Sequence, residues 1–305
     1  MSKQQRGKKH RTPQKRTPRL PAVPHPRTLV SPLPDDALPF RGSLDHASAM
    51  LEHAKPDQIV ELVLPYLWAS LADGRIPANV CVDACMTLRN AYGQLGVRAE
   101  LLPVTLEIRS EDGSRIRYGS LTPAWTGTTW NGHCVLALPD SGRFVDATVE
   151  QFSEVREVGN GPLVGKAVFS THAPRVGLMM EPGAQVMAQR GDLVLTYTAA
   201  GPEALASVVE HPEAAAHAEG HRRTGVNVAS FALVALRSED VRGRAMQAPY
   251  PRLRALLRAV GNAPHEGDEA GDVRFFLPDQ NGEEQWLRLD EIPLPPSVPA
   301  AWPRP

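Results

Sequence analysis

The stretch Ala78-Asn79-Val80-Cys81-Val82-Asp83-Ala84-Cys85-Met86-Thr87-Leu88-Arg89-Asn90-Ala91-Tyr92-Gly93-Gln94-Leu95-Gly96-Val97-Arg98-Ala99 decides how the rest of the chain is read. Cys81, Cys85, Leu88, Tyr92 and Leu95 recur at alternating steps of four and three, the spacing of one helix face. The period predicts a helix over about 80–95 that buries this stripe. Gly96 stands at the C′ position, where a left-handed residue ends a helix. Cys81 then falls in the first turn. Helix N-terminal N–H groups and the macrodipole favour negative charge there, and hence the thiolate, the reactive form of cysteine. The same N–H groups can hold the oxyanion of an acyl-transfer intermediate.

Downstream of this helix the pattern turns to strands, expected over 98–108, 115–121, 134–138 and 143–149. Pro139-Asp140-Ser141-Gly142 reads as a tight turn joining the last two. A turn centred on Asp140-Ser141 sets Asp146 opposite Val135, with His133 one diagonal step away on the same face. Diagonal neighbours lie roughly 7–8 Å apart at the backbone, within reach of a His and an Asp. The carboxylate can then fix the imidazole tautomer while the other ring nitrogen takes the thiol proton. Asn79 reads either as the helix N-cap or as a side-chain oxyanion donor. Trp130 reads either as packing beside the hairpin or as a wall of the substrate cleft.

Three segments carry a family resemblance. Cys81 to Ala99, with its Leu95-Gly96-Val97-Arg98-Ala99 ending, resembles the nucleophile helix of transglutaminase-like proteins. Gly132-His133-Cys134-Val135-Leu136 resembles that family's His strand, and Phe144-Val145-Asp146-Ala147-Thr148 its Asp-x-Thr strand. A more distant likeness is to arylamine N-acetyltransferases. The resemblance covers roughly a third of the chain. It implies an α+β, papain-like core, a nucleophile helix packed on an antiparallel sheet, with Cys81 as nucleophile, His133 as base and Asp146 as orienter. The implied activity is attack on an amide or thioester carbonyl through an acyl-enzyme, as an amidase, peptidase or acyltransferase. The substrate is then a peptide, a protein or a small amide or thioester, and no cofactor is needed. The alternative is a catalytically inactive binding module that keeps the fold.

Composition bounds the remaining readings. The chain has 305 residues, 42% of them hydrophobic, which is enough for a real core. Residues 1–30 hold nine of the 33 Lys and Arg and no acid, which leaves 24 bases against all 34 acids on the acidic body. Nucleic acid is therefore not an expected partner, except weakly through the basic tail. No run approaches the ~18–20 apolar residues of a membrane span, and no apolar core follows the basic N-terminus, so the reading is cytoplasmic. Three cysteines do not make a disulfide framework.

A zinc site of Cys81, Cys85, His133 and Cys134 has suitable atoms, but 133 and 134 point to opposite strand faces, so no metal is assigned. His217 and His221 read as a solvated helix face, and a regulatory domain held by metal through Cys85 or these histidines is a weaker third reading. The expected divisions are a disordered basic tail (1–40), a thiol domain (41–200), an α+β accessory region (201–290) and a Pro-rich loose tail (291–305). Helices are expected at 44–54 and 57–71, and 202–260 reads as helical again, with 251–260 the clearest case. A weakly β stretch is expected from about 155 to 200, and a hairpin at 273–277 and 285–289.

Overall fold

The computed structural model describes residues 80–127, 129–158, 162–166, 181–237, 239–267 and 272–301. The expected tail 1–40, the helices at 44–54 and 57–71, and Asn79 lie outside the described residues.

The decisive stretch forms helix α1, Cys81–Gln94. The expected stripe is its buried face, and Leu88 and Tyr92 have no exposure to solvent. Its end is a Schellman turn: Gly96 adopts φ 78°, Gly96 N–H donates to the Gly93 carbonyl (3.0 Å) and Val97 N–H to that of Tyr92 (2.9 Å). The positive φ there is why glycine ends this helix. At the start, Val80 holds the N-cap position with no side-chain hydrogen bond, so the first N–H groups are not capped by it.

Twelve strands and six further helices follow among the described residues. The strands are β1 (Glu100–Arg109), β2 (Arg115–Tyr118), β3 (Trp125–Thr126), β4 (Thr129–Trp130), β5 (His133–Leu138), β6 (Arg143–Asp146), β7 (Leu163–Lys166), β8 (Gln185–Arg190), β9 (Leu193–Ala199), β10 (His265–Gly267), β11 (Val273–Pro278) and β12 (Glu284–Arg288). The helices are α2 (Ser153–Val158), α3 (Pro202–Val209), α4 (Pro212–Ala216), α5 (Ala218–Leu236), α6 (Glu239–Ala245) and α7 (Pro251–Val260). The architecture is mixed α+β around a curled antiparallel sheet of order β7-β6-β5-β1-β9-β8, with β2 paired to β1. The β5–β6 register is the expected one, with Leu136 opposite Val145 and Ala137 opposite Phe144. The connecting turn is a 3-10 turn over Pro139–Ser141 that ends on left-handed Gly142.

The sheet is buried on both faces. Strand β5 has six buried residues in a row, the mark of a strand covered on both sides. Cys134, Leu136 and Leu138 point into one cluster with α1, α5 and α7. Val135 and Ala137 point into the other with Phe144, Tyr197, Phe152 and Val155. The second layer includes α2, so the stretch expected to be weakly β from 155 begins as a helix.

The first cluster runs from Cys81 to Ile292, so the region after 200 shares its core with α1. Helix α5 lies against α1 so closely that a Cβ on Gly225 would stand 2.6 Å from Asn90 Cβ and 2.7 Å from the Thr87 carbonyl oxygen. His221 on α5, expected on a solvated face, is instead buried, with Nε2 2.9 Å from Asp83 Oδ1 in the first turn of α1. The crossing of the two helices is the reason. The expected loose tail is held at two points: Ile292 enters the core, and Arg252 donates to the Pro299 carbonyl (3.2 Å) as well as to that of Gln94 (2.8 Å).

Gly225→Ala gains about 1 kcal/mol of helix propensity but meets fixed backbone, where overpacking costs ~1–3 kcal/mol, so we expect a net loss of up to about 2 kcal/mol. Gly220, on the same helix with open space around its would-be Cβ, is the control: Gly220→Ala should be neutral or stabilising by up to about 1 kcal/mol. Urea unfolding reads both. Equal effects at the two positions would mean that the α1–α5 contact is not tight.

Candidate active site

His133 opens β5 and Asp146 closes β6. The register sets them on one face, and His133 Nε2 lies 2.8 Å from Asp146 Oδ2. An ionised carboxylate only accepts hydrogen bonds, so this nitrogen carries the proton. The imidazole is 2% exposed and the carboxylate is fully buried.

Cys81 comes level with them through α1. One helical turn on, Cys85 Sγ donates to the Cys134 carbonyl (3.4 Å), which brings the start of α1 beside the start of β5. Burial alone would push the His133 imidazole down. The Asp146 charge and hydrogen bond, together with the nearby Cys81 thiol, outweigh it and push it up to about 10. With Nε2 committed to Asp146, Nδ1 is the nitrogen left to serve Cys81. The structure therefore brings together the three residues singled out from sequence.

Cys85 differs in kind. Burial first, then its hydrogen bond with Cys134 and the nearby charges of Cys134, Cys81 and Asp146, push its thiol well above the usual range. It stays protonated as a small core side chain. Cys134 belongs to the same cluster, on the sheet face away from the His133 ring, which packs edge-on against Phe152 (5.1 Å). Among the described residues no group of three or more His, Cys, Asp or Glu is placed to hold a metal ion. Among them, too, no helix is long and apolar enough to cross a membrane.

Trp130 is buried in the core beside α1, paired across its small hairpin with Trp125. Its ring lies over Gly132, where a Cβ would stand 2.4 Å from the indole. The indole Nε1 is buried and has no hydrogen-bond partner among the described residues. Gly119, at φ 75°, closes against the His133 backbone, with its would-be Cβ 3.0 Å from the His133 nitrogen. Only glycine accepts both that dihedral and that approach.

Four further residues converge here. Thr148 N–H donates to Asp146 Oδ1 (3.1 Å). Tyr197 OH donates to Asp146 Oδ2 (3.0 Å). Gln151 Nε2 lies 3.0 Å from Thr148 Oγ1 and 3.4 Å from His133 Nδ1. Arg190, 8% exposed, donates to the Pro162 carbonyl (3.1 Å) and adds positive charge near Asp146, Tyr197 and Glu150. Thr148 was legible in the Asp-x-Thr motif. The other three were not singled out from sequence, and Tyr197 and Arg190 carry no local signal because they arrive from strands far along the chain.

Compared with family models, with curated proteins and with solved structures, the chain matches none.

The raised His133 makes a signed prediction. Between about 6.5, its ordinary value, and about 10, the folded chain binds a proton that the unfolded chain has lost. Stability from His133 is therefore complete below about 6.5 and drains away as pH rises to about 10. The unfolding free energy of wild type minus that of His133→Gln should fall over this window, with a slope of at most about 1.4 kcal/mol per pH unit. Urea unfolding at several pH values measures it. A difference that is flat, or that grows with pH, would show that His133 is not held charged by Asp146 and Cys81.

Proposed function

We propose that this chain is a thiol enzyme with a papain-like, transglutaminase-like core, acting on an amide or thioester carbonyl through an acyl-enzyme. The observation that carries the proposal is a cysteine at the start of a buried helix, beside a His–Asp pair sealed from solvent on adjacent antiparallel strands. In this reading the Cys81 thiolate attacks the carbonyl carbon. A C–S bond forms, and the carbonyl electron pair moves to oxygen, where the N–H groups opening α1 receive it. The intermediate collapses, the bond to nitrogen or sulfur breaks, and the His133 imidazolium protonates the leaving group. Water or an amine then attacks the thioester with His133 taking its proton, the acyl C–S bond breaks, and Cys81 leaves as the thiolate beside the His133 imidazolium; hydrolysis and acyl transfer differ only in the acceptor. Asp146 holds the ring in the tautomer that this cycle needs. The buried indole N–H of Trp130, which meets no acceptor among the described residues, is suited either to the cleft wall or to a second oxyanion donor.

A second reading, a catalytically inactive binding module on the same fold, is favoured by two features. Cys81 is only 8% exposed, and the Gln151 amide lies 3.4 Å from the ring nitrogen that would take the thiol proton.

The experiment is alkylation by iodoacetamide as a function of pH, with mass-spectrometric mapping, in wild type and His133→Ala. Catalysis predicts that Cys81 alone reacts fast well below the ~8.5 of a free thiol and that the substitution removes this advantage. If Cys81 reacts no faster than Cys85 or Cys134, the enzyme reading fails and the binding module stands.

A further inference from the structure

Tyr197 stands on β9, three strands from Asp146 on β6 in the order β6-β5-β1-β9. On a flat sheet that separation is roughly 14 Å, at about 4.8 Å per strand. The curl of the sheet closes it, and the hydroxyl reaches Asp146 Oδ2 at 3.0 Å. That oxygen is the one that faces His133 Nε2 at 2.8 Å. Tyr197 is 2% exposed and packs against Phe144, with ring centroids 5.2 Å apart, so phenylalanine would satisfy the packing as well. A buried hydroxyl needs a partner, and this one is spent on the orienting carboxylate.

We propose that Tyr197 is a positioning residue of the thiol site, its hydroxyl holding in place the Asp146 oxygen that faces the His133 imidazole. The inference rests on the reading of Cys81, His133 and Asp146 as a catalytic set. The carboxylate is clamped from two sides: Tyr197 and His133 share Oδ2, and Thr148 N–H holds Oδ1 (3.1 Å). With both oxygens held, the carboxylate plane cannot rotate away from the ring. Tyr197 remains a donor throughout, because burial, the Asp146 charge and the hydrogen bond to Asp146 push its phenol well above the usual range despite the opposing charge of Arg190. The charged and titratable groups around this array are Cys81 and Cys85 on α1, Glu150 after β6 and Arg190 on β8.

The test uses Tyr197→Phe in the full chain and reads two signals. The first is the proton resonance of His133 Nε2–H, identified by its loss in His133→Gln. Positioning predicts that Tyr197→Phe moves this resonance upfield and speeds its exchange with water. The second is the rate of Cys81 alkylation at pH 7, which should fall about tenfold, the equivalent of one hydrogen bond to a charged group. On an Asp146→Asn background the same substitution should leave the rate unchanged, since Tyr197 acts only through Asp146. An unmoved resonance, or an equal rate loss on both backgrounds, overturns the proposal and leaves Tyr197 a packing residue. A wild-type Cys81 no more reactive than the other thiols sinks the catalytic reading alone, because the resonance still reports whether Tyr197 holds Asp146. If Tyr197→Phe does not fold, 3-fluorotyrosine at 197 strengthens the donor without changing the shape, and an unmoved resonance then overturns the proposal.

Discussion

Asp146 has no exposure to solvent, and taking a carboxylate out of water costs several kcal/mol unless paired charge and hydrogen bonds offset it. The fold around it can be read as the means of that offset. His133 arrives from the neighbouring strand, Thr148 from the turn that follows, and Tyr197 from across the sheet. Each donor ties a different part of the chain to one carboxylate. Strand β6 must keep its register with β5, the chain must turn after Asp146 so that Thr148 can reach back, and the sheet must curl enough to bring β9 over. A one-residue slip of β6 would turn Asp146 to the opposite face, into the apolar cluster under α1.

The same economy separates the three thiols. Cys85 and Cys134 lie in the apolar cluster between sheet and helix, and Cys85 is held neutral by burial before any other cause. Cys81 shares that cluster but stands one turn earlier, where the helix begins and the imidazole lies close. The distinction is positional rather than chemical: along one stripe, a single helical turn separates a small core side chain from a candidate nucleophile.

The sequence made the local parts of this site legible. The β5–β6 register follows from a turn four residues long, and the stripe of α1 follows from its period, so the bounds of α1 and α7 and the meeting of His133 with Asp146 were accessible without coordinates. The Asp-x-Thr motif carried Thr148 with it. What failed to show was set by long-range packing. His221 looked solvated because its partner Asp83 is 138 residues away. Tyr197 looked like one more apolar strand residue because its hydrogen bond depends on sheet curvature, which no alternation of residues encodes. Helix α2 was hidden because Ser153–Val158 is too short for a helical period to stand out.

The packing of α5 on α1 gives the late part of the chain a bearing on the early chemistry. Gly225 lets the α5 backbone come against α1 midway, and His221 meets Asp83 in the turn that begins with Cys81. At the other end Arg252 donates to a terminal carbonyl of α1. Helix α1 is therefore gripped at its start, middle and end by residues beyond 200, on the side opposite the sheet. Interiors packed at this density transmit displacement rather than absorb it. His221 on α5 meets Asp83, two residues from Cys81, so the seat of α5 bears on the turn in which Cys81 stands. The region read from sequence as an accessory thus has its clearest physical role in fixing where the thiol stands.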